Sequence, residues 1–275
     1  MFRNQYDGDV TIWSPQGRIH QIEYAMKAVS EGSATVGIKN QTHAILVAVK
    51  RSPNELSGYQ KKIYVLDEHV GISIAGLLSD GRLLSRFLHN ECINWQWVFQ
   101  EPIRISKLMV ELESKMQVNT QRYGRRPFGV GLLVAGYDES GPHICQTCPS
   151  GMVYECQAMS IGSRSQSART YLDKHVDEFA TCSVQHEVTS SNEDLVKHGL
   201  LALRETLPSG LTLSVKNTAI AIVGKGTPFT LLTEEAVSTY LQSIMTVPLL
   251  RGHDEDERIE EGREPSRPAG SEGQE

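Results

Sequence analysis

Residues Tyr6 to Ala28, YDGDVTIWSPQGRIHQIEYAMKA, constrain the fold more than any other stretch of the chain. Within them Ser14-Pro15-Gln16-Gly17 has the layout of a tight turn. Proline at its second position holds φ at about −65°, the Ser14 hydroxyl can accept a hydrogen bond from the turn backbone, and Gly17 suits the exit. Directly afterwards Ile19, Ile22, Met26 and Val29 recur at helical spacing, and Gly32 closes the pattern. The chain is expected to open with an irregular lead, a rigid turn and a helix of about three turns. Its apolar stripe must be covered by something outside the helix.

Downstream, the pattern alternates between short Val/Ile-rich runs and helical periods. Ala34–Lys39 and His43–Lys50 flank Asn40-Gln41 as a hairpin, and Lys62–Leu66 with Val70–Ala75 reads as a second strand pair. These runs are apolar on both faces, as a sheet covered on both sides requires. Ser79 and Asp80 are placed to cap and charge the start of a helix carrying Leu83, Leu84, Phe87 and Leu88. Ile105–Met116 is a second helix. Val130–Tyr137, Ile144–Thr147 and Met152–Ser160 read as strands, Ser165–Phe179 and Glu193–Leu207 as helices. Asn217–Val223 and Phe229–Leu232 form the last strand pair, before a short helix capped by Thr233. This order predicts an α+β fold in which two sheets stack between helical layers.

Two segments fit no element. Ser183–Ser191 (SVQHEVTSS) is polar and reads as an exposed insertion between helices. Residues 252–275 contain nine acids and three arginines, which accounts for the whole net charge of −6; the remaining residues hold 24 acids and 24 bases. A balanced body and an acidic, Gly/Pro-bearing tail predict a disordered tail and no attraction to nucleic acid or membranes. No apolar run approaches the roughly 20 residues that span a bilayer. The start, MFRNQYD, lacks a signal-type apolar stretch, so a soluble intracellular protein is expected. Five scattered cysteines suit a reducing compartment.

The order Tyr-x4-Thr-x-Trp-Ser-Pro-x-Gly-Arg-x2-Gln-Ile-Glu-Tyr-Ala-x2-Ala resembles the N-terminal signature of proteasome α subunits. Gly32–Ile38, Gln60-Lys61-Lys62-Ile63, Gly71–Leu77 and Gln121–Val130 resemble later landmarks of that family, and residues 3 to about 250 are covered in order. The resemblance implies the αββα four-layer sandwich of the N-terminal-nucleophile hydrolases. It implies a gate segment and helix at 1–31, the main domain at 32–251 and a tail at 252–275. It implies a non-catalytic place in a seven-membered α ring, beside β-ring subunits, in ubiquitin- and ATP-dependent protein degradation in cytoplasm and nucleus. The partners it implies are other α subunits, β subunits and regulatory activators that dock through C-terminal tails. By matched position, Tyr6, Asp7, Pro15 and Tyr24 correspond to the gate cluster. Lys62, with Glu23, Gly32 and Leu77, corresponds to the pocket that receives an activator's carboxylate. Gly8 stands where many members of the family have arginine, which weakens this chain's share of the latch.

The competing reading is an active amidohydrolase. The superfamily's nucleophile is a chain-terminal Thr, Ser or Cys whose α-amino group is the base. Ser33 holds that position here, and residues 1–32 would have to be removed to free it. An uncut Ser33 forfeits roughly 10²–10⁴ in rate from the missing base alone. Val49 stands in place of the acid of active β subunits, and Lys62 also matches their active-site lysine. Elsewhere, Cys145-x-x-Cys148 lacks a second ligand pair for zinc and reads as two packed thiols. No phosphate loop or histidine cluster is present, so no cofactor or metal is expected. Arg122, Arg125 and Arg126 form a basic knot beside Tyr123, readable as a solvated loop or a contact with a neighbouring chain.

Overall fold

The computed structural model describes residues 5–52, 56–179, 195–208 and 210–244. The Ser183–Ser191 insertion, the 252–275 tail and the helix start expected at Asn192 lie outside the described residues. The elements run α1 His20–Glu31, β1 Thr35–Lys39, β2 His43–Val49, β3 Ile63–Asp67, β4 Val70–Gly76, α2 Leu78–Phe99 and α3 Ile105–Gln121. They continue with β5 Val130–Asp138, β6 Gly141–Thr147, β7 Val153–Cys156, β8 Ala158–Ile161, α4 Ser165–Lys174 and α5 Val176–Phe179. The last are α6 Leu195–Glu205, β9 Thr218–Gly224, β10 Thr227–Leu231 and α7 Glu234–Ile244. No helix among them is long and apolar enough to cross a membrane.

The strands form two antiparallel sheets, ordered β10-β9-β2-β1-β8 and β3-β4-β5-β6-β7. Strand period two explains why both faces are apolar. In the first sheet Val36, Ile38, Ile45, Val47, Ile220 and Ile222 join a core with residues of α4, α6 and α7. Their neighbours Ala44, Leu46, Ala48, Ala221 and Val223 join Ala75, Leu133, Ala135 and Ile144 of the second sheet. Ile72, Ile74, Leu132 and Val134 point the other way, onto Leu84, Leu88, Leu108 and Leu112 of α2 and α3. Several of the side chains between the sheets are alanines, which lets the backbones approach closely.

The structure corrects three local expectations. Met152–Ser160 is two strands, not one. β7 pairs with β6 and β8 pairs with β1, so the chain changes sheets at Gln157, whose carbonyl accepts from Lys39 N–H at 2.8 Å. The expected helix over Ser165–Phe179 breaks at His175, where φ is −117° and ψ is 13°. There the ring stacks on Tyr171 and its Nδ1 lies 2.8 Å from the Tyr171 carbonyl. Ser79 does not cap α2; the N-cap is Leu77, without a side-chain bond, and Asp80 is held by residues of another segment.

Candidate functional site

The lead before α1 is tied to that helix. Tyr24 Oη donates to Asp7 Oδ2 at 2.9 Å, and Gln21 Nε2 donates to the Asp7 carbonyl at 2.5 Å. A three-turn helix brings residues 21 and 24 onto adjacent turns, so both reach one residue of the lead. Asp9 Oδ1 accepts from Thr11 N–H and Oγ1, at 2.8 and 2.7 Å, and Val10 is buried. Asp9 Oδ2 also accepts from Gly124 N–H at 3.3 Å, fixing the lead to the loop that holds the arginine knot. The Ser14–Gly17 turn closes with Gly17 N–H on the Ser14 carbonyl at 2.9 Å, Gly17 at φ +73° and Ser14 Oγ accepting from Arg18 N–H at 3.1 Å. Pro15 is exposed on this turn and Tyr6 is half-buried. Asp7 and Tyr24 are therefore joined directly, whereas Pro15 contributes through the shape of the turn.

Glu23 belongs to the start of α1. It accepts from Arg18 Nε, and His20 Nδ1 lies 3.3 Å from its other oxygen. The Arg18 bond chiefly holds the Glu23 carboxyl below the usual carboxylate range. Gly32 ends the same helix nine residues later, about 13 Å along the axis. There a Cβ on Gly32 would fall 2.2 Å from Gly76 N, so α1 is seated against the end of β4. Leu77 follows at once, half-exposed, with its side chain over Gly129. Lys62 precedes β3, and its carbonyl accepts from Ile74 N–H at 3.1 Å. Gly32 and Leu77 thus meet at the end of β4, Lys62 is joined to that strand through the backbone of Ile74, and Glu23 lies apart along α1.

Lys62 is the most unusual charge among the described residues. It is only 4% exposed, and burial lowers its ammonium to about 8, with the Arg51 guanidinium adding to the shift. It lines a cavity of about 340 Å³ with Lys50, Tyr59, Lys61 and Glu234. An adjoining cavity of about 570 Å³, which shares Lys50 and Tyr59 with it, contains Ser33, Val49, Arg51 and Ser163. No carboxylate or histidine occurs among the described residues lining it. With Glu31 and Gly32 in place, the Gly32 carbonyl accepts from Ser163 N–H at 2.7 Å, and Arg51 bridges the Glu31 carbonyl and Ser163 Oγ. Ser33 therefore carries an amide nitrogen, and the described lining of its cavity offers no acid or imidazole to take its proton.

Two motifs resolve into packing. Arg126 leaves the arginine knot to grip Asp80 with both guanidinium nitrogens, at 2.6 and 2.9 Å, and Gly129 N–H adds a third bond to the same carboxylate at 3.0 Å. Tyr123 stands out into solvent beside it. Cys145 is a buried thiol in the core beneath α2 and α3, and burial pushes it up to about 12, where it is inert. Sequence reasoning missed Asp9, Asp80 and Arg51. Asp80 read as a helix-start acid, and only its separation by 46 residues from Arg126 hides the pair.

These features meet in one class. The sequence profile for the N-terminal signature of A-type proteasome subunits matches residues 6–28, and the general profile for proteasome subunits matches residues 29–223. The chain belongs to the proteasome subunit family, on its α side. Among its relatives is the alpha type-1 proteasome subunit of Caenorhabditis elegans, 55% identical over 252 residues, or 92% of this chain and 94% of the relative. The alpha type-1 subunit of Dictyostelium discoideum is 54% identical, over 88% of this chain and 94% of the relative. That of Drosophila melanogaster is 52% identical, over 86% and 82%. The α-type relationship does not favour the reading of Ser33 as a working nucleophile.

Proposed function

We propose that this chain is a non-catalytic subunit of the α ring of a 20S proteasome, with the role of an alpha type-1 subunit. The observation that carries this reading is the way residues upstream of Ser33 are built into the fold. Asp7 is bonded to α1, Asp9 to the Gly124 loop, and Gly32 is wedged against Gly76. A segment so anchored is a structural part and a poor propeptide. In this reading residues 1–31 form the gate segment and helix and 32–251 the main domain, a four-layer αββα sandwich of N-terminal-nucleophile type, with 252–275 as an acidic tail. The α2 end exposes Trp97, Val98 and Phe99 at 85%, 66% and 55%, an apolar area suited to a neighbouring subunit. Met26 of the α1 stripe is likewise exposed, at 44%, and ready for cover by the next subunit. The ring has seven members, stacks on a β ring, works in the cytoplasm and nucleus, and serves ubiquitin- and ATP-dependent degradation.

The test is the N-terminus of the assembled protein. It is expected intact within a particle of many subunits, by N-terminal sequencing and mass. A start at Ser33, or peptidase activity lost in Ser33→Ala, overturns the reading.

The gate and docking roles are part of the same proposal. The Tyr24–Asp7 bond beside the Pro15 turn, with Tyr6 in the lead, is a two-state latch, since one such bond is worth only about 1–3 kcal/mol. Lys62, Gly32, Leu77 and Glu23 form the pocket that receives an activator's terminal carboxylate, with Lys62 as the charged partner. Lys62→Ala is expected to lower occupancy by an isolated C-terminal peptide at this pocket about ten- to a hundredfold, the worth of one charge-assisted bond. Ring assembly should be unchanged. Site-resolved crosslinking reads the occupancy, and an unchanged value removes Lys62 from the pocket.

A further inference from the structure

Lys62 has chemistry that a carboxylate receptor does not need. Its side chain is largely buried, no side-chain bond or ion pair holds its ammonium among the described residues, and the nitrogen is not sealed off but reaches the cavity. The cavity it lines, about 340 Å³, has room for a small molecule against the amine. Lys50 and Lys61 line the same cavity, and Arg51 adds a third positive charge nearby; Glu234 is the single acid among the described lining residues. A largely buried amine beside a guanidinium, on the wall of a cavity, is the environment that turns a lysine into a nucleophile for carbonyl carbons.

We propose that Lys62 is a carbonyl-reactive modification site, at which the amine condenses with a small aldehyde bearing an anionic group to give an imine and water. The nitrogen lone pair attacks the carbonyl carbon, and the C=O π pair moves to oxygen. The nitrogen then gives up its two protons, and the oxygen leaves with them as water, so no oxidant or reductant takes part. Lys50, Lys61 and Arg51 attract the anionic group and set the ligand class. At pH 7 roughly a tenth of this amine is neutral, against about one part in three thousand for an ordinary lysine. The inference is independent of whether a carboxylate docks on the same amine.

The full-length chain is treated at pH 7 with glyoxylate and cyanoborohydride, which fixes each imine as carboxymethyl-lysine, and peptide mass mapping follows every lysine. Lys62 is expected to label about tenfold or more faster than exposed lysines such as Lys27, after allowance for its lower basicity. The ratio of Lys62 to exposed-lysine labelling should be highest near neutral pH and fall towards pH 10, where all amines are neutral. Acetaldehyde, which has no charge, should show a smaller ratio. Lys62→Arg should remove the fast site and leave the other lysines unchanged. The pH series on the unsubstituted chain decides the matter even if that variant folds poorly. Labelling of Lys62 no faster than Lys27, or a ratio that does not change with pH, overturns the proposal. An equal ratio with acetaldehyde overturns the assigned ligand class.

Discussion

Alanine at Gly32 is expected to lower the thermal midpoint of the chain by about 6–12 °C and to dislodge α1 from the end of the second sheet. Gly32 has φ −63°, which alanine adopts freely, so backbone conformation is not the obstacle. The obstacle is space. A Cβ there would lie 2.2 Å from Gly76 N and 3.0 Å from both Ala75 C and Gly76 Cα. All three are backbone atoms of β4, a central strand paired on both sides, so none can swing away as a side-chain tip would. Overpacking costs about 1–3 kcal/mol and occasionally more; contact with fixed backbone puts this site at the upper end, and each kcal/mol moves the midpoint about 2–4 °C in a domain of this size. Gly8→Ala is the matched control, since nothing lies within 4 Å of its Cβ position. Differential scanning fluorimetry of the two variants decides the point. A Gly32→Ala midpoint within a degree or two of the Gly8→Ala control would show that α1 can lift off β4 at little cost, and the seat of the N-terminal helix would have to be sought elsewhere.

That glycine shows where a sequence is readable and where it is not. As a helix stop Gly32 was legible, because glycine after the last apolar period is a local signal. Its closer role, meeting a backbone 44 positions later, has no local trace. The same division runs through the fold. Strands β1 to β6, β9 and β10 and helix α1 were legible to within a few residues, and α2 and α3 at their starts though not at their ends, since burial on both faces or on one stripe imposes a period on each segment by itself. The β7–β8 junction was not. Met152–Ser160 has one continuous strand-like character, and only the competing hydrogen-bond partners on β6 and β1 divide it at Gln157.

The candidate site divides in the same way. The Ser14–Gly17 turn was readable from proline and glycine chemistry, and the hydroxyl of Ser14 takes the turn bond expected of it. Lys62, read without the family resemblance, is one of two adjacent lysines in a polar stretch. Its enclosure comes from elements distant in the chain, including β9 and α7, and the unusual basicity of its amine comes with that enclosure. Arg126 misled in the opposite direction, since a run of arginines looks solvated until a carboxylate from another helix is brought beneath it. Long-range pairs leave no spacing to detect, and the anchor that Asp80 makes with Arg126 is one of them.

Asp80→Ala is accordingly expected to destabilise the fold by about 3 kcal/mol, and Arg126→Ala by only about 1 kcal/mol. The asymmetry follows from burial. The Asp80 side chain is 9% exposed, and that of Arg126 is 61% exposed. Removing Asp80 leaves the Gly129 N–H inside the protein without its acceptor and frees a guanidinium that had been oriented by two bonds. An orphaned buried donor costs about 1–3 kcal/mol, and the lost charge-assisted bonds add to it. Removing Arg126 leaves a carboxylate that still accepts from Gly129, and the freed face of Asp80 opens towards water. The pH dependence has a definite sign. The Arg126 bonds chiefly hold the Asp80 carboxyl below its ordinary value. Its stabilising contribution is therefore complete above the unfolded value of about 3.9 and is lost as pH falls through the lower folded value. Urea unfolding of the unsubstituted chain and Asp80→Ala should show a gap that is constant from pH 7 to about 5 and narrows below about 4. Equal losses in the two variants, or a gap that persists undiminished to about pH 3, would mean that the Asp80 carboxylate is not what joins the start of α2 to the Arg126–Gly129 segment.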